Sequence, residues 1–191
     1  DKPLTEQYFT YLGNLLQGDM GISIKTRKPI IDDIRQFLPA TIELATFGII
    51  VGVAMGIGFG IISAVWRNRP IDYLVRIFSL IGVSFPIFLL ALIGLSLFYV
   101  QLRVVSGPGR LDVLLKAPPM VTGLFTVDSI LAGQWNILGN AISHLILPSL
   151  ILGSYVSGFI ARITRSSLLE VLGLDYIRTA RSKGLNERVV I

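Results

Sequence analysis

Three apolar runs, each long enough to cross a bilayer, govern what this chain can fold into. Ala40 to Trp66 is a run of 27 residues broken by a single charge, Glu43. Ile77 to Val100 gives 24 residues without a charge and with Pro86 inside, and Ile142 to Ile160 gives 19 that include His144 and Pro148. About 20 apolar residues cross the roughly 30 Å hydrocarbon core as a helix. The composition agrees, with 52% hydrophobic and 15% charged residues and a mean hydropathy of +0.70. The expected fold class is all-α and integral to the membrane, a polytopic helical protein with three spans in this chain. Periodicity adds little, because a helix in lipid can be apolar on every side.

Charge sets the orientation. Three Lys or Arg fall within the ten residues 67–76, and six within the 31 residues 161–191. Residues 1–39 hold five, balanced by five acids, and residues 101–139 hold three. The positive-inside rule places 67–76 and the C-terminal tail in the cytoplasm and the other two segments outside, an alternation that three spans satisfy. The net charge of +5 is thus used in topology, and no nucleic-acid partner is expected. Cysteine is absent, which excludes a disulfide framework, a thiolate nucleophile and a Cys-based metal site.

Within the first run, Gly48, Gly52, Gly56 and Gly60 recur every four residues and Ala64 continues the row. One helix face is nearly bare backbone and lets another helix approach closely. Internal packing is the expected use, and a sliding subunit or gating interface is the alternative. Pro86 and Pro148 mark kinks. Glu43 reads as a capping or packing carboxylate near the outer helix end, with substrate contact as the alternative. His144, the only histidine, reads as a satisfied interfacial hydrogen-bonding group. Asp19, Asp112 and Asp128 show no spacing for paired acid–base work. Ser106-Gly107-Pro108-Gly109 is turn chemistry, without the Gly-Lys-Ser/Thr that grips phosphate. Arg162 and Arg165 fix topology and meet anionic lipid.

The tail carries the most informative short segment, Asp175-Tyr176-Ile177-Arg178-Thr179-Ala180-Arg181-Ser182-Lys183-Gly184. Asp175 is expected to N-cap a short basic helix, Gly184 to close its last turn in the left-handed conformation, and Asn186 to cap the next helix. A helix of about 8 residues is marginal alone in water and calls for a partner surface.

Arg178-Thr179-Ala180-Arg181-Ser182-Lys183-Gly184 resembles the cytoplasmic loop of binding-protein-dependent ABC importer permeases, whose general pattern is Glu-Ala-Ala, three residues, then Gly. Arg-Thr-Ala stands here for Glu-Ala-Ala, a departure typical of the dipeptide and oligopeptide branch. Gly18-Asp19-Met20-Gly21-x-Ser23, Pro39-Ala40-Thr41-x-Glu43-Leu44 and His144-Leu145-Ile146-Leu147-Pro148 resemble the same branch, in order along the chain.

The resemblance implies a type I importer transmembrane domain over 38–191, preceded by an extracytoplasmic segment 1–37. It also implies one further helix before Asp1 and two after Ile191. The implied function is a permease subunit of an ATP-driven di- or oligopeptide importer of a bacterial or archaeal cytoplasmic membrane. Nickel-chelate and glutathione importers of the same branch are alternatives. Implied partners are a homologous permease, two ABC ATPase subunits, an extracytoplasmic binding protein, the peptide and membrane lipid. ATP would be bound by the partner subunits, with no cofactor or catalytic residue in this chain. Residues 175–184 would form a coupling helix, in which Tyr176, Ile177 and Ala180 pack on an ATPase subunit. Arg178, Arg181 and Lys183 would make charged contacts, and Gly184 would aim the next helix. Two other classes fit less well. A secondary transporter or channel calls for ionisable residues in mid-span, and an intramembrane serine hydrolase calls for an oriented third group beside His144.

Overall fold

In the computed structural model, residues 3–190 are described, so the outermost edges of the expected domains, at 1 and 191, lie outside the described residues. The elements are helical: α1 (Leu4–Leu16), α2 (Ile30–Val65), α3 (Pro70–Ser84), α4 (Ile87–Gly94), α5 (Phe125–Leu131), α6 (Trp135–Leu172), α7 (Asp175–Ser182) and α8 (Glu187–Val190). After α4, Leu95–Gln101 continues as a π-helix. Pairing of extended backbone among the described residues is limited to one bridge, between Ile22 and Pro29.

The two dominant helices are longer than the apolar runs that predict them. The 36 residues of α2 and the 38 of α6 reach about 54 and 57 Å at 1.5 Å per residue, well beyond one hydrocarbon core. α2 starts ten residues before Ala40, with Asp32 and Asp33 in its first turn where the helix dipole favours them, and it runs straight through Pro39. α6 likewise runs through Pro148.

The second run, by contrast, is not one helix. α3 ends at Ser84, and the limb formed by α4 and the π-helix leaves at 110° to it. Pro86 causes the break. Its ring excludes the helical conformation for Phe85, which is extended at φ −89°, ψ 140°. Two helices are therefore long and apolar enough to cross a membrane, and a third crossing exists if the bent pair counts as one span.

The glycine row is the core of the assembly. Gly48, Gly52, Gly56 and Gly60 are all buried and meet Leu152, Val156, Ile160 and Thr164 of α6 in constant register. Residue numbers rise together on the two helices, so α2 and α6 run parallel, as two crossings separated by one returning limb must. A Cβ on Gly56 would lie 2.6 Å from the Ile160 Cβ, and one on Gly60 would lie 2.9 Å from the Ala161 carbonyl oxygen. α6 answers with its own buried row, Ser149, Gly153, Ser157 and Ala161, also every four residues. Small residues on both sides let the backbones meet and pack by dispersion, the main attraction between helices in lipid. α3 crosses α6 the opposite way, with Gly82 against the Ser154 carbonyl and Gly158 against that of Ser79.

Gly56→Ala is expected to destabilise the subunit by about 1–3 kcal/mol through overpacking. Gly58→Ala, whose Cβ meets nothing within 4 Å, should be neutral or slightly stabilising. Thermal denaturation of the two detergent-solubilised variants checks this, and equal midpoints would remove the close-approach argument.

Candidate functional site

The segment singled out by sequence, α7, is carried at the far end of α6. The long helix stops at Leu172, and Gly173 and Leu174 turn the chain before α7 begins. The hydrogen bonds from Gly173 N–H to the Glu170 carbonyl (3.1 Å) and from Leu174 N–H to that of Val171 (3.0 Å) make the connection tight. Asp175 is not the N-cap. Leu174 takes that position with extended backbone, no side chain caps the helix, and Asp175 is its first residue. Its carboxylate still lies at the positive end of the helix and pairs with Arg178 at 3.4 Å.

The C-terminal end closes as a Schellman motif. Gly184 has φ +78°, its N–H donates to the Arg181 carbonyl at 2.9 Å, and the Leu185 N–H reaches back to that of Ala180 at 3.3 Å. A Cβ on Gly184 would meet nothing within 4 Å, so the demand for glycine there is conformational. α8 begins directly after Asn186.

Two expected contacts change. Ile177 is buried within this chain, so its packing is internal, because the apolar edge of so short a helix folds back onto its own protein. Arg181 is engaged in a two-pronged pair with Glu187, at 2.8 and 3.3 Å, which ties α7 to α8. The surface left open to a partner is Tyr176, Arg178, Thr179, Ser182 and Lys183, all exposed, with Ala180 half-buried. Thr179 and Ser182 turn their hydroxyls onto the carbonyls of Asp175 and Arg178, so the outward stripe is Tyr176 with the cations around it.

On α6, ahead of this helix, lies an ionic knot around a buried carboxylate that sequence reading missed. Asp72, in the first turn of α3, is completely buried. Its carboxylate accepts from Ser63 of α2 at 2.5 Å, from the Asn68 N–H at 3.0 Å, and from Arg165 Nε and Nη2 of α6 at 3.0 Å each. Arg76, one helical turn on, adds a contact at 3.3 Å. Arg165, read from sequence as a topological charge, is thus a bidentate structural ligand that joins three helices. The only sequence signal was a lone acid in a basic loop, four residues before an arginine.

A second clasp holds the opposite end. Glu43 lies well inside α2, which starts at Ile30, so it gains nothing from the helix terminus and the capping reading is corrected. It is buried and accepts from Arg110 at 2.8 Å and from the Thr126 N–H and hydroxyl at 2.7 and 2.6 Å. Arg110 also donates to the Gly123 carbonyl at 2.8 Å and lies 3.5 Å from the Phe125 ring centroid. Asp128, buried beside them, accepts from the N–H groups of Val121, Thr122 and Gly123 and from the Thr122 hydroxyl. Burial alone would raise its pKa, but these donors outweigh burial and hold the carboxyl below the usual carboxylate range. His144 Nδ1 lies 2.9 Å from the Asn140 carbonyl, with Nε2 3.5 Å from Asp112.

Two predictions follow from these knots. Asp72→Ala should destabilise the fold by about 1–3 kcal/mol, because it leaves the half-buried Arg165 and the Ser63 hydroxyl without their partner, whereas Asp72→Ala with Arg165→Met should recover most of the loss. Denaturant unfolding of both variants decides it, and equal losses would deny the pairing. For Asp128, whose folded pKa is depressed, the stability it adds is present above the unfolded value of about 3.9 and is lost as pH falls through the folded value. Limited proteolysis of the 102–134 segment should therefore accelerate in acid, and Asp128→Asn should flatten that pH dependence.

Comparison with known proteins places this geometry. The family model described as binding-protein-dependent transport system inner membrane component matches residues 56–191. The chain is similar to the probable D,D-dipeptide transport system permease protein DdpB of Escherichia coli K12, at 46% identity over 97% of this chain and 54% of that protein. It is also similar to the dipeptide transport system permease protein DppB of Alkalihalophilus pseudofirmus (42% identity, covering all of this chain and 57% of that protein). The di/tripeptide transport system permease protein DppB of Pseudomonas aeruginosa is 41% identical over all of this chain and 56% of its own length. The chain therefore spans about half the length of the curated relatives it matches. With the family model covering most of its length, the chain belongs to the inner membrane components of binding-protein-dependent transport systems.

Proposed function

We propose that this chain is the core of a permease subunit in an ATP-driven importer of di- and oligopeptides, and that α7 is the element through which ATPase subunits move it. The observation that carries this reading is the construction of α7. It is a short helix closed by Gly184, with an outward stripe of Tyr176, Arg178 and Lys183, fixed to a continuous 38-residue helix. Such a helix exposes too little apolar surface to be a core element and too ordered a surface to be a tail. The names of the similar permeases, which specify dipeptides, D,D-dipeptides and di/tripeptides, support the peptide class. A glutathione transport permease is also similar, at 36% identity, and glutathione is itself a small peptide.

In this reading two ATPase subunits sit against α7 in the cytoplasm of a bacterial cell. A homologous permease completes the path, and an extracytoplasmic binding protein delivers the peptide. ATP is held by the ATPase subunits, and this chain supplies no catalytic group. Closure of the ATPase pair displaces α7. The tight Gly173–Leu174 connection passes the displacement to α6, and the Asp72 knot passes it to α2 and α3. The two states of the bundle are then biased by ATP on one side and by the loaded binding protein on the other.

A single cysteine at Ser182, in a completed cysteine-free subunit, should crosslink to a co-expressed ATPase subunit, with a yield that changes on adding ATP. A residue accessible from the cytoplasm that never crosslinks would count against the coupling role. Gly184→Val strains a positive φ and is expected to lower peptide-stimulated ATPase activity several-fold while leaving the assembled complex intact.

A further inference from the structure

At the basic end of the bundle, α3 and α6 diverge around a cavity of about 600 Å³. It is lined by Arg76 from α3 and Arg162, Arg165 and Ser166 from α6, together with apolar Val75 and the exposed Leu80 of α3. Three guanidinium groups therefore meet at one crevice. The one carboxylate paired with them among the described residues is Asp72, which is buried and already shared between Arg165 and Arg76. One negative charge against three positive ones leaves a net excess of two. Arg165 spends Nε and Nη2 on Asp72, while Arg162 has no hydrogen-bond or ion-pair partner among the described residues and is exposed.

We propose that this crevice is a binding site for the phosphate headgroup of an anionic phospholipid of the cytoplasmic leaflet. Arg162 is its principal ligand, and Arg76 and the outer edge of Arg165 supply the remaining charge. Guanidinium groups match phosphate oxygens in shape and charge, and basic pockets between membrane helices on the cytoplasmic side suit anionic headgroups. The exposed apolar lining separates this site from one for free phosphate, because an acyl chain can lie along Val75 and Leu80 while the headgroup meets the arginines. The location gives such a lipid a consequence: it bridges α3 and α6 beside the Asp72 knot and adds to the ion pair and the Ser79–Gly158 packing that join them there.

The test uses the complete subunit, with whatever subunits purify with it, in nanodiscs of phosphatidylcholine containing a minor fraction of phosphatidylglycerol. Native mass spectrometry counts the phosphatidylglycerol retained. Arg162→Gln should lower retention about fivefold, the effect of one arginine at such a surface, and Arg162→Lys should keep most of it. Ser166→Asp, which leaves the Asp72 knot untouched, should lower it similarly, so a folding defect in one variant does not decide the matter. Equal retention in wild type, Arg162→Gln and Ser166→Asp overturns the proposal. So does displacement of the lipid by millimolar inorganic phosphate, which would mark a free-anion site, or a photocrosslink from position 162 to polypeptide in place of lipid. None of these readouts depends on transport or on the ATPase partners, so the lipid site and the importer reading can fail separately.

Discussion

The parallel contact between α2 and α6 is the interaction on which the remainder of this structure rests. In lipid there is little hydrophobic gain from bringing two apolar helices together, so the attraction must come from close packing. Glycine on one side, with serine, glycine and alanine on the other, allows that closeness over four successive turns. Because branched side chains of α6 are seated over each glycine, the two helices interlock like teeth. Sliding along the shared axis would lift Val156, Ile160 and Thr164 out of their seats together. The pair is suited to tilting as one body, and the sliding interface that the glycine spacing also permitted is disfavoured.

Two of the three buried carboxylates among the described residues, Glu43 and Asp72, use this rigid pair differently. Glu43 draws the outer loop down through Arg110 and Thr126, while Asp72 gathers the ends of α2, α3 and α6. Each is a buried charge whose cost is offset only because every oxygen has donors. In the proposed importer this arrangement divides the labour. α7 receives force, α6 carries it as a continuous helix, and the Asp72 knot keeps the neighbouring helices from lagging behind.

Hydropathy made the membrane class and the two long helices legible in the sequence, because length and apolarity are local properties. The boundaries were not legible. Pro39, Pro86 and Pro148 look alike in sequence, yet only Pro86 breaks its helix. α2 and α6 support each other along their length and hold their backbones continuous past a missing hydrogen bond, whereas the α3–α4 limb lacks that mutual support. Gly184 was readable, since a glycine after a short basic helix has one economical conformation. The knot at Asp72 was not, because its partner Arg165 is 93 residues away and nothing local distinguishes it from other loop acids. Ile177 was assigned to the wrong partner for a related reason, since burial of one residue in a short helix is decided by the tertiary neighbour it meets.

The sequence separation within the two clasps bears on how the protein is made. Asp72 is synthesised long before Arg165, and Glu43 precedes Arg110 by 67 residues and Thr126 by 83. At roughly 5–20 residues per second, Asp72 waits on the order of 5–20 s for its guanidinium. Until its own partners are made, each carboxylate must stay hydrated, which keeps α2 and α3 from settling too deeply in the bilayer. The two constraints are released in order: Arg110 and Thr126 serve Glu43 before α6 is made, and α6 then brings Arg165 to Asp72. Completion of α6 is therefore the event that commits the nascent bundle, and before it Asp72 lacks the guanidinium that gathers α2, α3 and α6.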